Sequence, residues 1–482
     1  MIRATAGARA RGAAALVTMA AVLGASNAHA AGLYFTDRGV RPLGRGGAFV
    51  AGADDINAIW YNPAGLADAG TSFLLDASWL DWSSSFTRQT NVPDANGTIR
   101  TYVFPTVNGT TPFLPIPTIG ASYNVPSMQE LTFAIGAFSP YTAVASYPLT
   151  LGDGTPSPSR YSLVSLDGSA LVVTGLWAAY KPADWIRLGV GIEALVGTFD
   201  STVVFSACPP QNLVCAAEDP NYDAYSQLKV GPIFAPSGNA GVTLVPEKHV
   251  RIGISGQLPF SIDAPATVTV RLPNAVEFDN ASQSGDNAHV KFELPAIFRA
   301  GVEGRVHAGP GDLRVEVAYV REFWTTQHSI DIIPNNIELL NVKGFPSPFA
   351  VSPISIPRNF DNSNSYRLGG EYSFKVSEYL LDARLGLNYE TSAVPAAYES
   401  PLTVDMNKVM LGMGGSIHIG AHWRFDAMFA HTFASTVYVD PSIAAVPKVN
   451  PVQGNPTQSE AINGGTYTAS ADVLGVGLNY KF

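Results

Sequence analysis

From residue 72 to the C-terminus the chain alternates apolar and polar positions with a period of two. Ile186, Leu188, Val190, Ile192 and Ala194 share one face, and Arg187, Gly189, Gly191 and Glu193 share the other. The pattern returns where Val250, Ile252, Ile254 and Leu258 oppose Arg251, Gly253, Ser255 and Gln257. It returns again around Phe298 to Val306, Leu313 to Tyr319, Tyr366 to Phe374 and Leu381 to Tyr389. Alternation of this kind predicts strands that present an apolar face to one environment and a polar face to another. Weaker candidates lie at residues 73–80, 116–125, 130–139 and 168–180. The last strand reads Leu474, Val476, Leu478, Tyr480, Phe482 and ends the chain.

The connections also alternate. Short, charged links occur at residues 126–130, 181–185, 246–250, 307–313, 375–379 and 420–423. Long links rich in Pro, Asn, Ser and Gly occupy residues 209–225, 263–287, 327–365 and 438–466, and the polar stretch up to residue 115 reads as a further loop. The candidates add up to fourteen strands with six short turns and seven long loops. An even number of antiparallel strands that closes on itself leaves no unpaired edge, and short turns on one side with long loops on the other mark a transmembrane β-barrel. Mean hydropathy is +0.12 and only 14% of residues are charged, although no apolar run after the first thirty residues approaches the roughly 20 that a membrane helix needs. Apolar surface spread over many short segments fits a barrel, in which alternate residues face lipid.

One stretch does not alternate. Residues 31–69 cluster Gly39, Gly44, Gly46, Gly47 and Gly52 ahead of Asp54 and Asp55, followed by Ile56, Ile59 and Trp60 and closed by Asn62, Pro63 and Ala64. Glycines admit positive φ and close packing, aspartates suit a helix N-terminus, and Asn-Pro stops a helix. The stretch therefore predicts a compact plug ending in a two-turn helix.

Arg3, Arg9 and Arg11 precede an apolar run over residues 13–23 and the small-residue site Ala28-His29-Ala30, which predicts a secretory signal over residues 1–30. Its removal takes the net charge from −10 to −13, because the segment carries three arginines and no acidic residue. An acidic chain without a basic patch argues against nucleic acid. Export makes a disulfide between Cys208 and Cys215 the expectation, with two free thiols as the alternative. No nucleophile-elbow serine or metal-ligand spacing points to catalysis, so the expectation is a non-enzyme without cofactor or metal.

The Ala31-Gly32 start followed by Leu33, Tyr34 and Phe35, the Gly44 to Ala48 run, Asp54-Asp55 and above all Asn62-Pro63-Ala64 with Gly65-Leu66, set against the strand count, resemble the FadL family of outer-membrane transporters for hydrophobic compounds. Weaker echoes are Ser139-Pro140-Tyr141, Arg160-Tyr161 and Tyr480 to Phe482. The resemblance implies an all-β, fourteen-stranded barrel (residues 71–482) plugged by an N-terminal hatch (residues 31–70). It further implies loop capture of a hydrophobic small molecule, such as a long-chain fatty acid or hydrocarbon, binding near the hatch, and lateral exit through a gap in the third strand. On that reading Leu33, Tyr34, Phe35 and Arg160 contact ligand, and Gly44, Gly46, Gly47, Asp54, Asp55, Asn62, Pro63 and Ala64 form the gate. Gly136, Phe138, Ser139, Pro140 and Tyr141 form the lateral kink. The expected setting is a monomer in the bacterial outer membrane among its lipids and lipopolysaccharide. The arginines and acids on the polar strand faces read as neutralising pairs along a wet lumen, through which a greasy molecule travels poorly. A general porin and a surface receptor or adhesin are the competing readings.

Overall fold

The computed structural model describes residues 37–113, 115–141, 145–208, 218–452 and 460–482. Residues 1–30, the expected ligand contacts Leu33, Tyr34 and Phe35, and Cys215 lie outside these.

The alternation resolves into a closed antiparallel barrel of 14 strands. We number them β1 (Ser72–Pro93), β2 (Pro115–Asn124), β3 (Leu131–Phe138), β4 (Ala170–Ala183), β5 (Ile186–Ser206) and β6 (Asp223–Glu247). Four strands are built in two segments: β7 (Val250–Gln257 and Phe260–Arg271), β8 (Asn287–Leu294 and Ala296–Ala308), β9 (Gly311–Phe323 and Ser329–Pro334) and β10 (Ile354–Pro357 and Ser363–Val376). β11 (Tyr379–Glu390), β12 (Lys408–Ile419), β13 (Trp423–Ala434) and β14 (Gly465–Lys481) complete the wall. β14 pairs with β13 on one side and with β1 on the other, from Ser72↔Lys481 to Arg88↔Gly465, so the sheet has no free edge. The outward face is the apolar one: Ile192 is 79% exposed while Arg187 and Glu193 on the same strand are buried.

Two long links differ from the sequence reading. Parts of residues 263–287 and 327–365 are not loop but continue β7 to β10 upward as paired strand. Alternation in β7 and β8 changes phase at Pro259 and Pro295, which hides the continuity from a period-two search. β1 likewise runs on into the stretch read as loop, pairing with Ile99–Val103.

The glycine-rich stretch lies inside the barrel as a hatch. It contains helix α1 (Val40–Gly44), helix α2 (Ala58–Tyr61) and a 3-10 turn (Pro63–Asp68). The expected two-turn helix is a single turn, because Asn62 leaves helical geometry (φ −163°) and its side chain instead accepts from Ala64 N to cap the 3-10 turn that Pro63 begins. Inward-facing glycines of the wall receive the hatch backbone. A Cβ on Gly386 would stand 2.0 Å from Arg45 C, one on Gly253 2.5 Å from Val50 O, and one on Gly189 2.2 Å from Ala64 N. Gly46 itself takes φ +62° where it meets the Gly386–Leu387 backbone. The glycines on the polar strand faces are thus the hatch's seat.

Substituting Gly189→Val therefore drives the end of the hatch off β5 while leaving the outward residues and the ladder of the wall in place. The expected outcome is a barrel that still shows heat-modifiable mobility, destabilised by about 1–3 kcal/mol from overpacking, with a larger ion conductance in planar-bilayer recordings than the parent.

Candidate functional site

Charge complementarity fixes the hatch. Arg41 of α1 reaches Asp54 at 2.6 Å, Asp55 at 3.1 Å and Glu371 of β10 at 2.8 Å. Arg314 of β9 joins Asp54 at 2.8 Å and Glu303 at 3.0 Å, and Arg424 of β13 joins Asp55 at 2.9 Å. Glu316 of β9 accepts the backbone N–H groups of Val50, Ala51 and Gly52 at 2.7, 2.9 and 2.9 Å, a nest of donors around one buried carboxylate. Asn62 donates to Val50 O at 2.9 Å and to Thr243 Oγ1 of β6 at 3.0 Å. Asp54, Asp55 and Asn62 are thus joined to the wall by hydrogen bonds, while Gly44, Gly46, Pro63 and Ala64 pack against its glycines and Gly47 O accepts from Arg367 at 3.1 Å. The polar lumen expected to be wet is buried under the hatch, and its charges pair as much with the hatch as with each other.

β3 ends at Phe138, and the chain turns inward. Ser139 Oγ donates to Leu171 O at 2.5 Å, Pro140 and Tyr141 are buried, and Arg38 of the hatch donates to the carbonyls of Ser139 and Pro140. Tyr141 meets Trp60 of α2 at 6.3 Å and Phe260 of β7 at 5.8 Å, and Phe138 meets Trp60 at 5.4 Å. Gly136 is needed for closeness: a Cβ there would lie 2.7 Å from Ile59 Cδ1. Gly136, Phe138 and Tyr141 thus pack on α2, while Ser139 and Pro140 are held by Arg38.

Above the hatch the lumen changes character. Along β7 the inward residues run Arg251, Gly253, Ser255, Gln257 and then Phe260, Ile262, Ala264, Ala266; along β8 the change falls between Arg299 and Leu294. The upper storey holds an apolar cavity with about 1340 Å³ of empty space, its open mouth included, lined by Phe199, Leu228, Val270, Ile332, Ile356 and Val449 among others. The sequence pattern does not reveal this site, because the phase change at Pro259 and Pro295 makes its strands read as loop.

Three buried arginines stand at this level and differ in their pairing; Arg88 of β1 pairs with Glu218. Arg160 donates to Asp223 Oδ2 at 2.7 Å, Ser157 O at 3.1 Å, Tyr161 Oη at 2.9 Å and Glu218 O at 3.1 Å, so its charge and donors are fully engaged. Arg358 is part of the cavity lining and 1% exposed, yet among the described residues its guanidinium donates only to Pro357 O, at 3.3 Å, and its Nε has no partner. Cys208 is disulfide-bonded.

The sequence matches the family described as Outer membrane protein transport protein (OMPP1/FadL/TodX) over residues 21–482. The chain belongs to the FadL family. It is thereby an outer-membrane channel of a family that carries hydrophobic compounds. A Pseudomonas aeruginosa FadL homologue shares 14% identity, with 94% of this chain and 100% of that one covered and a TM-score of 0.67. The Pseudomonas putida toluene transporter TodX shares 12% identity over 93% and 99%, with a TM-score of 0.62. The Ralstonia pickettii toluene transporter TbuX shares 18% over 93% and 99%, with a TM-score of 0.55. At these identities the likeness is one of fold. No curated protein matches the sequence.

In this FadL-family chain the loop after β11 borders the cavity through Ser400 and Leu402 and carries a buried acid pair. Glu399 accepts from Asp405 N at 2.8 Å, and burial together with the Asp405 charge pushes it well above the carboxylate range; burial raises Asp405 to about 7 although Lys408 lies 3.0 Å away. Both groups hold protons in the folded state that the unfolded chain releases near 3.8 for Asp405. The contribution of Asp405 to stability is therefore full below that value and lost as pH rises through about 7, and that of Glu399, raised further above the carboxylate range, is lost on the same alkaline side. Glu399→Gln removes the like charge, so the expected result is a higher Tm at about pH 8 with little change near pH 4, read by thermal unfolding in detergent.

Proposed function

We propose that this chain takes up an amphipathic small molecule with a long apolar body and an anionic head, the chemistry of a fatty acid, and passes it sideways into the membrane at the β3 bend. The observation that carries the reading is Arg358, a buried cation whose Nε has no acceptor among the described residues, in the lining of a mostly apolar cavity. A buried guanidinium without an anion is costly, and a ligand carboxylate supplies both the countercharge and the acceptors. The apolar walls take the ligand's body, at roughly 25 cal/mol per Å² removed from water.

The lower lumen supports a lateral rather than an axial route. It is filled by the hatch and sealed by buried ion pairs, whose disruption would strand charges at about 3–5 kcal/mol each. The β3 bend instead offers an apolar surface, Phe138, Tyr141 and Trp60, continuous with the cluster that lines the cavity. The same sealing weighs against a general porin. Leu33, Tyr34 and Phe35 remain proposed contacts, and Arg160 is proposed as a structural neighbour of the site, since a ligand acid would have to displace Asp223 from it.

Arg358→Met keeps the volume and removes the charge. The expected outcome is weaker binding of oleate to the purified protein by about tenfold or more, the loss of one charge-assisted contact, with binding of a neutral hydrocarbon of similar length unchanged. Equal effects on both ligands, or none on oleate, overturn the assignment of Arg358 to the head group.

A further inference from the structure

The ladder between β6 and β7 is interrupted in a way that the neighbouring ladders are not. The two strands pair from Asn239↔Gln257 downward and from Val230↔Ala266 upward, with the same register on both sides of the gap and a shift only at the lower end, between Leu244 and Glu247. Between these pairs lie residues 231–238 of β6 and 258–265 of β7, linked in the backbone by Leu258 N to Gly238 O at 2.9 Å.

Pleat phase explains the interruption. In β6 the buried, inward positions are Ala224, Ser226, Leu228 and Val230 above, then Ile233, Ala235, Asn239 and Gly241 below, a slip of one residue at 231–232 that also appears as the bulge against β5. In β7 the inward positions are Phe260, Ile262, Ala264 and Ala266 above and Arg251, Gly253, Ser255 and Gln257 below, a slip at 258–259. The slips sit at opposite ends of the interval. Within it, inward Ile233 and Ala235 stand across from outward Asp263 and Ser261, so the pleats are out of step and a ladder cannot form. β8 slips at 295–296, level with β7, and those two strands stay in phase with Phe260↔Leu294 and Gln257↔Ile297 on either side.

The interval is suited to open. Pro232, Pro236, Pro259 and Pro265 remove backbone donors that would otherwise face lipid unpaired. Its outer face carries Phe234, 72% exposed, and Leu258, while Asp263 at its upper end is exposed and paired with Lys291 at 3.1 Å, which puts the interval across the outer boundary of the hydrocarbon. Its inner face is Ile233, Ala235, Phe260 and Ile262, and directly above it Leu228 and Val268 line the cavity.

We propose that this out-of-phase interval between β6 and β7 is a second lateral passage, joining the apolar cavity to the outer leaflet, for apolar or amphipathic molecules. The proposal rests on the uptake reading above. Two variants test it. Deleting Gly231, Pro259 and Pro295 together removes one residue at each slip, keeps β7 and β8 in phase, brings the pleats of β6 and β7 into step and lets the ladder close. Replacing Phe234 and Ser261, outward neighbours across the interval, by cysteine (F234C and S261C) locks it reversibly.

The readout is the rate of uptake of radiolabelled oleate by cells that lack another route, with equilibrium binding to the purified proteins measured beside it. Closing one of two parallel routes slows uptake by about twofold or more, with binding retained, and dithiothreitol restores the rate in the cysteine variant but leaves the parent unchanged. Parent-like rates in the oxidised cysteine variant, or a slow rate that reductant does not restore, overturn the passage while leaving uptake itself intact. A parent that carries no oleate overturns the uptake reading and this passage with it.

Discussion

In lipid, every backbone donor and acceptor of the wall needs a partner within the wall, and the rest of this structure follows from how that demand is met and where it is relaxed. From β9 to β14 and across the closure to β1 the ladder is continuous through the membrane-spanning part. A continuous ladder offers no sideways opening, and the hatch fills the lumen below the cavity. Among the described strands the ladder stops at the end of β3, in the interval between β6 and β7, and between β8 and β9 over residues 292–295 and 324–330.

The hatch is held by two kinds of contact that depend on each other. Glycines let its backbone lie directly on the wall, and that closeness brings Glu316 under three N–H groups and Arg41 between Asp54, Asp55 and Glu371. Buried pairs of this kind contribute little net stability compared with apolar packing, but they penalise any displaced arrangement strongly, since a shifted hatch leaves charges without partners. The lattice is better understood as fixing one position for the hatch than as strengthening the barrel.

Much of this was legible in the sequence. The period-two segments and the alternation of short and long links give the strand order, and the stretch from Gly39 to Ala64, the one part that does not alternate, turns out to be the part inside. The glycines on the polar strand faces carried information that was read only as polarity: Gly189, Gly253 and Gly386 mark where another backbone would lie. What stayed hidden has a physical cause. A proline or bulge shifts the pleat by one residue, so the apolar set moves to the other face and a period-two search sees a strand end where the strand continues, as at Pro259 and Pro295. Arg358 is illegible for a different reason, since its meaning lies in the absence of a partner, and no sequence pattern records an absence.

The two storeys of the lumen now explain why the ladder relaxes where it does. Below Gln257 the inward residues are charged or polar and satisfied only with the hatch in place, so an apolar molecule gains nothing by descending. Above Phe260 they are apolar, and burial there is favourable for an apolar molecule. The change of lumen polarity on β7 and the pleat slip at 258–259 are one event: the residue that shifts the phase also turns the polar series outward, to Ser261 and Asp263, and brings the apolar series in. A single local irregularity thus sets both the floor of the cavity and the lower end of the unpaired wall beside it.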